Sequence, residues 1–377
     1  MTSRERVRLA FAHQEPDRVP VYEQTVCSLV ASEIMGGGGI RYGETAARWE
    51  SDEAGEEYAA RILDDVGDMV AALDFDIVGV PWRFAAKPSA KLDDFTFRYE
   101  DRALNTWSVY RYAPETDVFD EVDSSLRYEG IPAIERIVAA MVKRSEGAGP
   151  PSPEAYAPLQ RVAARAGGTR AWKSGEGSIA VPRGEAWWEA CALRPDLIEA
   201  YLEARLHSEL QAIPMAAQMG VQVLWAGGDL ASAKGPFYSP AMFRRLVLPR
   251  LQQITRQAHA HGLVYVFRTD GDVWSIADDL LVNSGVDGFG EIDIEAGMEL
   301  PKLKRAFPHL TLWGGVACGR LLTFGTPQEV REEARRVLEI CKPGGGLIFG
   351  SSNSILRGLP TANFLALQAA AREFGVY

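Results

Sequence analysis

The stretch "LVYVFRTDGDVWSIADDLLVNSGVDGFGEID", residues 263–293, determines the predicted fold. It divides into an apolar strand (263–272), a helix (273–285) and a second strand (286–293). Both strands are too uniformly apolar to be buried on one face only. They therefore predict a parallel sheet that is covered by helices.

The same alternation of strand and helix continues on both sides of this stretch. It is regular from about residue 195 to the end, where helices are predicted at 196–220, 239–262, 298–307, 326–341 and 361–375, and strands at 221–229, 310–316 and 346–352. Ser239 and Pro240 have the spacing of an N-cap followed by proline at the first helical position. Gly262 has the position of a C-terminal stop.

Upstream of residue 195 the pattern is less regular. A helix is predicted at 2–13, where Thr2 and Glu5 have capping-box spacing, and strands at 19–25 and 74–82. Residues 95–130 alternate and are rich in aromatic side chains, which predicts an antiparallel insertion. The number and length of the predicted strand–helix repeats favour an α/β fold, a (β/α)8 TIM barrel that forms a single domain over residues 1–377. A Rossmann fold is disfavoured because no GxGxxG follows the first strand.

Composition excludes several classes of partner. The net charge is −11 and there is no run of Lys or Arg, which argues against nucleic acid and anionic membranes. The N-terminus lacks the apolar segment of a secretory signal, and no window is apolar enough to span a membrane. The four cysteines are far apart, so we expect reduced thiols in a cytoplasmic protein.

Polar and aromatic residues collect where the predicted strands end, the edge at which TIM barrels carry their active sites. The candidate catalytic residues are Asp229, Arg268, Asp270, Glu291 and Asp293. The candidate substrate-binding residues are Tyr22, Glu23, Trp82, Trp225, Lys234, Trp313, Asn353 and Arg357. Two alternatives stay open: the aspartates also suit N-cap positions, and tryptophans are common in cores.

Other chemistries have less support in the sequence. There is no GxSxG elbow for a serine hydrolase and no HExxH zinc motif. All five histidines fall within or at the ends of predicted helices. The glycine-rich "PGGGLIFG" (343–350) precedes a strand, so we interpret it as a tight connection and not as a phosphate-binding loop.

Five segments resemble the uroporphyrinogen decarboxylase superfamily. They are "MTSRERVRLAFAHQEPDRVPV", "GGDLASAKGPFYSPAMFRRLVLPRL", "TDGDVWSIADDLLVNSGVDG", "EAGMELPKLK" and "GTPQEVREEARRVLEICKPGGGLIFGSSNSI". The resemblance covers nearly the whole chain and is weakest between about 85 and 190. It implies a TIM barrel that acts either as a decarboxylase or as a corrinoid-linked methyltransferase.

Two departures from the family narrow this choice. The arginine-rich N-terminal loop that holds the many carboxylates of uroporphyrinogen is missing, since no arginine lies between Arg18 and Arg41. The methyltransferases of this family that use coenzyme M hold zinc through a His-x-Cys-Gly motif and a later Cys. At the first position this chain has Arg268-Thr269-Asp270, and at the second it has Ser352 or Asn353. A thiol-activating zinc is therefore not expected. Asp270, Glu291 and Cys318 remain weak metal candidates, and Asp229 and Asp293 could join such a set.

The resemblance and its departures predict a methyltransferase. We expect a methyl group to pass from a small, methoxy-aromatic or methylamine donor to a corrinoid (cobalamin) acceptor, held by a corrinoid protein as partner. Arg268 would orient a substrate carboxylate and Asp270, Glu291 or Asp293 would supply a proton. A decarboxylase of a tetrapyrrole or aromatic carboxylate, with Arg268 and Lys234 as anion holders, is the alternative. A non-catalytic barrel that binds a corrinoid or tetrapyrrole is the third hypothesis. A homodimer is compatible with all three.

Overall fold

The computed structural model describes residues 1–36, 56–80 and 87–377. The strands are β1 (Ile77–Val78), β2 (Ala90–Asp93), β3 (Thr96–Asp101), β4 (Thr106–Ala113), β5 (Val118–Ser124), β6 (Ala171–Ser174), β7 (Val223–Gly227), β8 (Ala231–Ser232), β9 (Gly235–Pro236), β10 (Val264–Arg268), β11 (Gly288–Gly290), β12 (Thr311–Trp313) and β13 (Leu347–Ile348). The α-helices are α1 (Ser3–Phe11), α2 (Ser28–Ile34), α3 (Glu56–Ala72), α4 (Ser125–Glu129), α5 (Ile131–Glu146), α6 (Ala157–Ala166), α7 (Glu185–Leu193), α8 (Pro195–Gln218), α9 (Pro240–Leu246), α10 (Leu248–Ala260), α11 (Leu300–Ala306), α12 (Pro327–Cys341) and α13 (Thr361–Phe374).

Seven parallel strands form a curved sheet in the order β1-β6-β7-β10-β11-β12-β13. The chain around Val21 closes this sheet into a barrel. Val21 forms a parallel bridge with Phe349 on one side. On the other side, its carbonyl accepts a hydrogen bond from the backbone of Asp76, next to β1, over 2.8 Å. This eighth segment completes the (β/α)8 TIM barrel, and the predicted fold class is confirmed.

Side chains alternate between the two faces of the barrel wall, as a strand period of two requires. Those that point inward form one cluster: Val7, Tyr22, Ile77, Ala171, Val223, Trp225, Val266, Trp313 and Ile348. Val7 and Phe11 come from α1, so the N-terminal helix packs against the interior at the bottom of the barrel. Outward neighbours such as Tyr265 and Phe267 pack under the helices in a much larger cluster.

The bottom of the barrel also holds a buried ion-pair network. Asp76 has no exposed surface and accepts hydrogen bonds from Arg6 Nη1 at 2.5 Å, Arg18 Nη1 at 2.6 Å and the backbone of Val21 at 2.8 Å. The network joins the first segment of the barrel to α1 and to β1. It satisfies a carboxylate that would otherwise be costly to bury.

The predicted antiparallel insertion is present as a separate four-stranded sheet, β2-β3-β4-β5. Phe97, Tyr112 and Phe119 form a small core of its own. The insertion occupies residues 90–124 and is followed by the short helix α4, so its observed limits lie close to the predicted ones.

The helices follow the predicted pattern with two differences. The Thr2/Glu5 capping box and the Ser239 N-cap are both formed. The helix predicted at 239–262 is divided into α9 and α10, because Pro249 lacks the amide hydrogen that would continue α9. The region 273–285 is a 3-10 turn (Trp274–Ile276) followed by a π-helix (Asp279–Asn283). Among the described helices, none is long and apolar enough to cross a membrane.

Candidate active site at the barrel mouth

A cavity of about 370 Å³ opens at the carboxyl ends of the barrel strands. Its volume falls at the small end of the range for ligand pockets. The lining residues are Gln24, Thr25, Gly79, Val80, Pro151, Ala155, Tyr156, Leu159, Lys173, Ser174, Gly175, Glu176, Trp225 and Arg268.

Three predicted aromatic residues pack together beneath this cavity. The ring of Trp225, which lines the cavity, lies 4.1 Å from that of Trp313, and Trp313 lies 5.1 Å from Tyr22. Gly290 makes this arrangement possible, since a Cβ at that position would overlap the Trp225 ring. The buried Trp225 Nε1 has no hydrogen-bond partner among the described residues. We interpret Trp225 as a stacking surface for a planar ligand, with Trp313 and Tyr22 as its support.

Lys173 is one of the cavity residues that sequence reasoning missed. It follows Ala171 by two positions in β6 and therefore points inward, where its Nζ lies 5.2 Å from the Tyr22 ring and 5.4 Å from the Trp225 ring. Burial, reinforced by the positive charge of Arg268, lowers the pKa of Lys173 to about 7. A lysine in a four-residue strand was the available signal, but the segment lacks the longer apolar run that identifies the other strands.

Arg268 ends β10 and forms one wall of the cavity. Its Nη1 donates to both carboxylate oxygens of Glu291, at 3.2 and 3.0 Å. Burial acts to lower the pKa of Arg268, but the charge and hydrogen bonds of Glu291 more than compensate and raise it. Glu291 is buried and has a φ of 56°, an unusual value for a residue with a side chain. The backbone is thus strained at the residue that holds the arginine.

Behind Arg268, the structure brings together three of the predicted catalytic residues. Oxygen atoms of Asp229, Asp270 and Glu291 all lie within 4.8 Å of one another. Burial, together with the charge of Glu291, raises the pKa of Asp270 to about 7. Asn353, another predicted residue, donates to Asp270 Oδ1 over 2.7 Å, and Arg183 donates to Asp229 Oδ2 over 2.9 Å.

The other predicted site residues have different surroundings. Asp293 caps the turn Ile294–Ala296 and accepts from the Gly271 backbone, as its N-cap alternative anticipated. Glu23 is buried and accepts from Ser351 and Gln368, and burial raises its pKa to about 7. Lys234 is exposed on the β8–β9 hairpin and Arg357 is exposed after β13; neither lines the cavity. Trp82 lies outside the described residues.

The residues at this site do not fit a thiol-activating zinc. The cluster of Asp229, Asp270 and Glu291 offers only oxygen ligands. Zinc sites that activate a thiol use nitrogen and sulfur ligands instead. Glu291 is already paired with Arg268. Cys318 does not belong to this cluster of carboxylates. Its Sγ accepts a hydrogen bond from Ser352 Oγ over 3.4 Å.

One family profile and one solved structure agree with this architecture. The profile of the uroporphyrinogen decarboxylase (URO-D) family matches residues 182–374. A structure described as a methyltransferase from Methanosarcina mazei superposes with a TM-score of 0.63, at 18% identity and with 99% of each chain covered. A D-psicose 3-epimerase from Clostridium cellulolyticum H10, with D-tagatose, gives a TM-score of 0.33 at 12% identity over 63% of this chain and 92% of its own. No curated protein sequence matches. At these identities the first superposition supports the fold alone.

Proposed function

Since this chain belongs to the uroporphyrinogen decarboxylase (URO-D) family, we propose that it is a methyltransferase of that family. It would remove the methyl group of a small methoxy-aromatic carboxylate and pass it to a corrinoid acceptor on a partner protein. One observation carries the proposal. Arg268 lines the cavity but uses only Nη1 to bind Glu291, so Nε and Nη2 have no partner among the described residues and suit a substrate carboxylate.

The surrounding residues supply the other requirements of such a substrate. The Trp225 ring offers a planar apolar surface inside the cavity. Cleavage of a methyl ether needs a proton at the leaving oxygen. Asp270, whose pKa is raised to about 7, retains a proton near neutral pH and lies next to the Arg268–Glu291 pair. The corrinoid supplies the nucleophile that takes the methyl group.

A tetrapyrrole substrate has less support. Within the described parts of the chain, Lys173 and Arg268 are the cations that line the cavity, far fewer than the carboxylates of uroporphyrinogen would need. The cavity of about 370 Å³ suits a single aromatic ring better than four linked ones.

The test is incubation of the purified protein with cob(I)alamin and a panel of methoxybenzoates. We expect the absorption spectrum of methylcobalamin to appear together with an equivalent of phenolic product. Arg268→Ala should lower kcat/KM about 10- to 100-fold, because a bidentate charged contact is lost, with a smaller effect on uncharged methoxy-arenes. Asp270→Asn should lower kcat more than it raises KM. A panel without demethylated product would count against methyl transfer.

A decarboxylase of a small aromatic carboxylate is the second candidate. The observation that favours it is the pair of cations, Lys173 and Arg268, in one aromatic-walled cavity. Release of carbon dioxide from the same carboxylates, in reactions without corrinoid, would distinguish it from methyl transfer.

A further inference from the structure

We propose that Lys173 is a nucleophilic lysine that binds small oxo acids covalently, as an imine at its ε-amine. This chemistry goes beyond methyl transfer and does not depend on it. The lysine lines the cavity and makes no hydrogen bond or ion pair with any described residue. Structural lysines in this chain behave differently: Lys304 and Lys342, for example, donate to backbone carbonyls.

The surroundings of Lys173 favour the neutral, nucleophilic amine. Its stem is packed against Gly79, where a Cβ would come within 3.0 Å of the Lys173 Cγ and Cε atoms. Arg268 is a cation in the same cavity, whereas the rings of Tyr22 and Trp225 flank the amine and attract its charged form. Desolvation and a neighbouring cation are the two means by which proteins activate a lysine toward carbonyl compounds. Glu291 opposes them, but it is engaged by Arg268. The pKa of Lys173 is lowered to about 7 accordingly.

The cavity also contains the groups that an oxo acid would need. Nε and Nη2 of Arg268, which bind nothing in the described parts of the chain, suit its carboxylate. Glu176 lines the same cavity: its Oε1 accepts from Tyr156 Oη over 2.8 Å, whereas the buried Oε2 has no partner among the described residues. A carboxylate of this kind can take and return a proton while the carbonyl reacts.

The covalent step is balanced without any cofactor. The neutral ε-amine attacks the carbonyl carbon and forms the C–N bond of a carbinolamine. The carbonyl oxygen then leaves as water, with the two protons that the nitrogen gives up, and a C=N bond remains. Protonation of that nitrogen gives an iminium, and hydrolysis reverses the sequence. A hydride donor added in the laboratory converts the imine to a stable secondary amine.

The experiment is reductive trapping of the full-length protein at pH 7 with cyanoborohydride and one of two matched ketones, levulinate and its methyl ester. These share the same ketone and differ only in the carboxylate. We expect one adduct per chain in the intact mass, mapped by peptide sequencing to Lys173. Levulinate should reach half-maximal labelling at a concentration about tenfold lower than the ester does, because Arg268 binds only the acid.

Two variants complete the design. Lys173→Met should abolish the adduct, and Lys234→Met, which removes an exposed lysine, should leave it unchanged. Mapping of the adduct in the unmodified protein keeps the test valid even if Lys173→Met folds poorly. Labelling spread over exposed lysines, or absent from Lys173, would overturn the inference. Equal labelling by acid and ester would overturn the part assigned to Arg268. The first result does not bear on methyl transfer, since no corrinoid is present, whereas the second would also weaken the carboxylate-binding role of Arg268 in that reaction.

Discussion

Glu291 binds Arg268 from one side only, with both carboxylate oxygens within 3.2 Å of Nη1, and it does so from a left-handed backbone conformation with φ 56°. The strain is localised at the residue that positions the arginine at the cavity wall. Because a glycine adopts this conformation at no steric cost, the strain has a direct experimental signature.

We expect Glu291→Gly to be more stable than Glu291→Ala by about 1 kcal/mol, the reverse of the usual order. Both variants lose the same carboxylate and its bonds to Arg268. The difference in their free energies of unfolding therefore measures the backbone strain at position 291. Urea denaturation of the two proteins measures it. An alanine variant that matches or exceeds the glycine variant in stability would mean that the backbone at 291 relaxes.

Gly290→Ala tests the aromatic platform beneath the cavity. The added methyl group would overlap the Trp225 ring, which is wedged between Trp313 and the barrel wall. We expect a loss of about 1 to 3 kcal/mol in the free energy of unfolding, with altered tryptophan fluorescence and weaker ligand binding. Gly168→Ala is the matched control, because a Cβ there meets no atom within 4 Å. Similar behaviour of the two variants would contradict the proposed packing.

Asp76→Asn tests the network that closes the barrel. The substitution removes the charge between Arg6 and Arg18 and turns one accepting oxygen into a donor that faces other donors. We expect a loss of about 3 to 5 kcal/mol by denaturant titration, because two largely buried cations lose the fully buried carboxylate that they share. Asp17→Asn removes a half-exposed partner of Arg6 and should cost less than about 1 kcal/mol. Comparable losses would show that the buried network does not control closure.

The sequence predicted the barrel well because its strands and helices have different hydrophobic periods, which are local properties. The convergence of Asp229, Asp270 and Glu291 was also predictable, since parallel strands end at one edge. The sequence did not predict which neighbouring group each of these side chains binds. Asp293 and Glu23 are bound by nearby backbone and side-chain groups, an outcome set by side-chain geometry. Lys173 was not predicted because β6 is short. The inward direction of the Lys173 side chain depends on the pairing of β6 with β7, where its partner Val223 lies 50 residues along the chain.

Lys173 makes the stability of the protein depend on pH. Its pKa is about 7 in the folded protein, against an ordinary value of 10.5. Between these values the folded state binds fewer protons than the unfolded state, so this group makes the free energy of unfolding rise with pH. Below pH 7 its destabilising effect is complete.

Lys173→Met should therefore be more stable than the unmodified protein at pH 6 to 7, by about 1 to 2 kcal/mol. This free energy is smaller than the whole pKa shift would give, because the Lys173 side chain is partly exposed to solvent, which screens its charge. The advantage should shrink steadily as the pH rises toward 10. Chemical denaturation at several pH values measures it, with Lys234→Met as the control that removes the same charge at an exposed site. A stability difference that is independent of pH would mean that Lys173 stays charged in the folded protein, and the amine would then be a poor nucleophile at neutral pH.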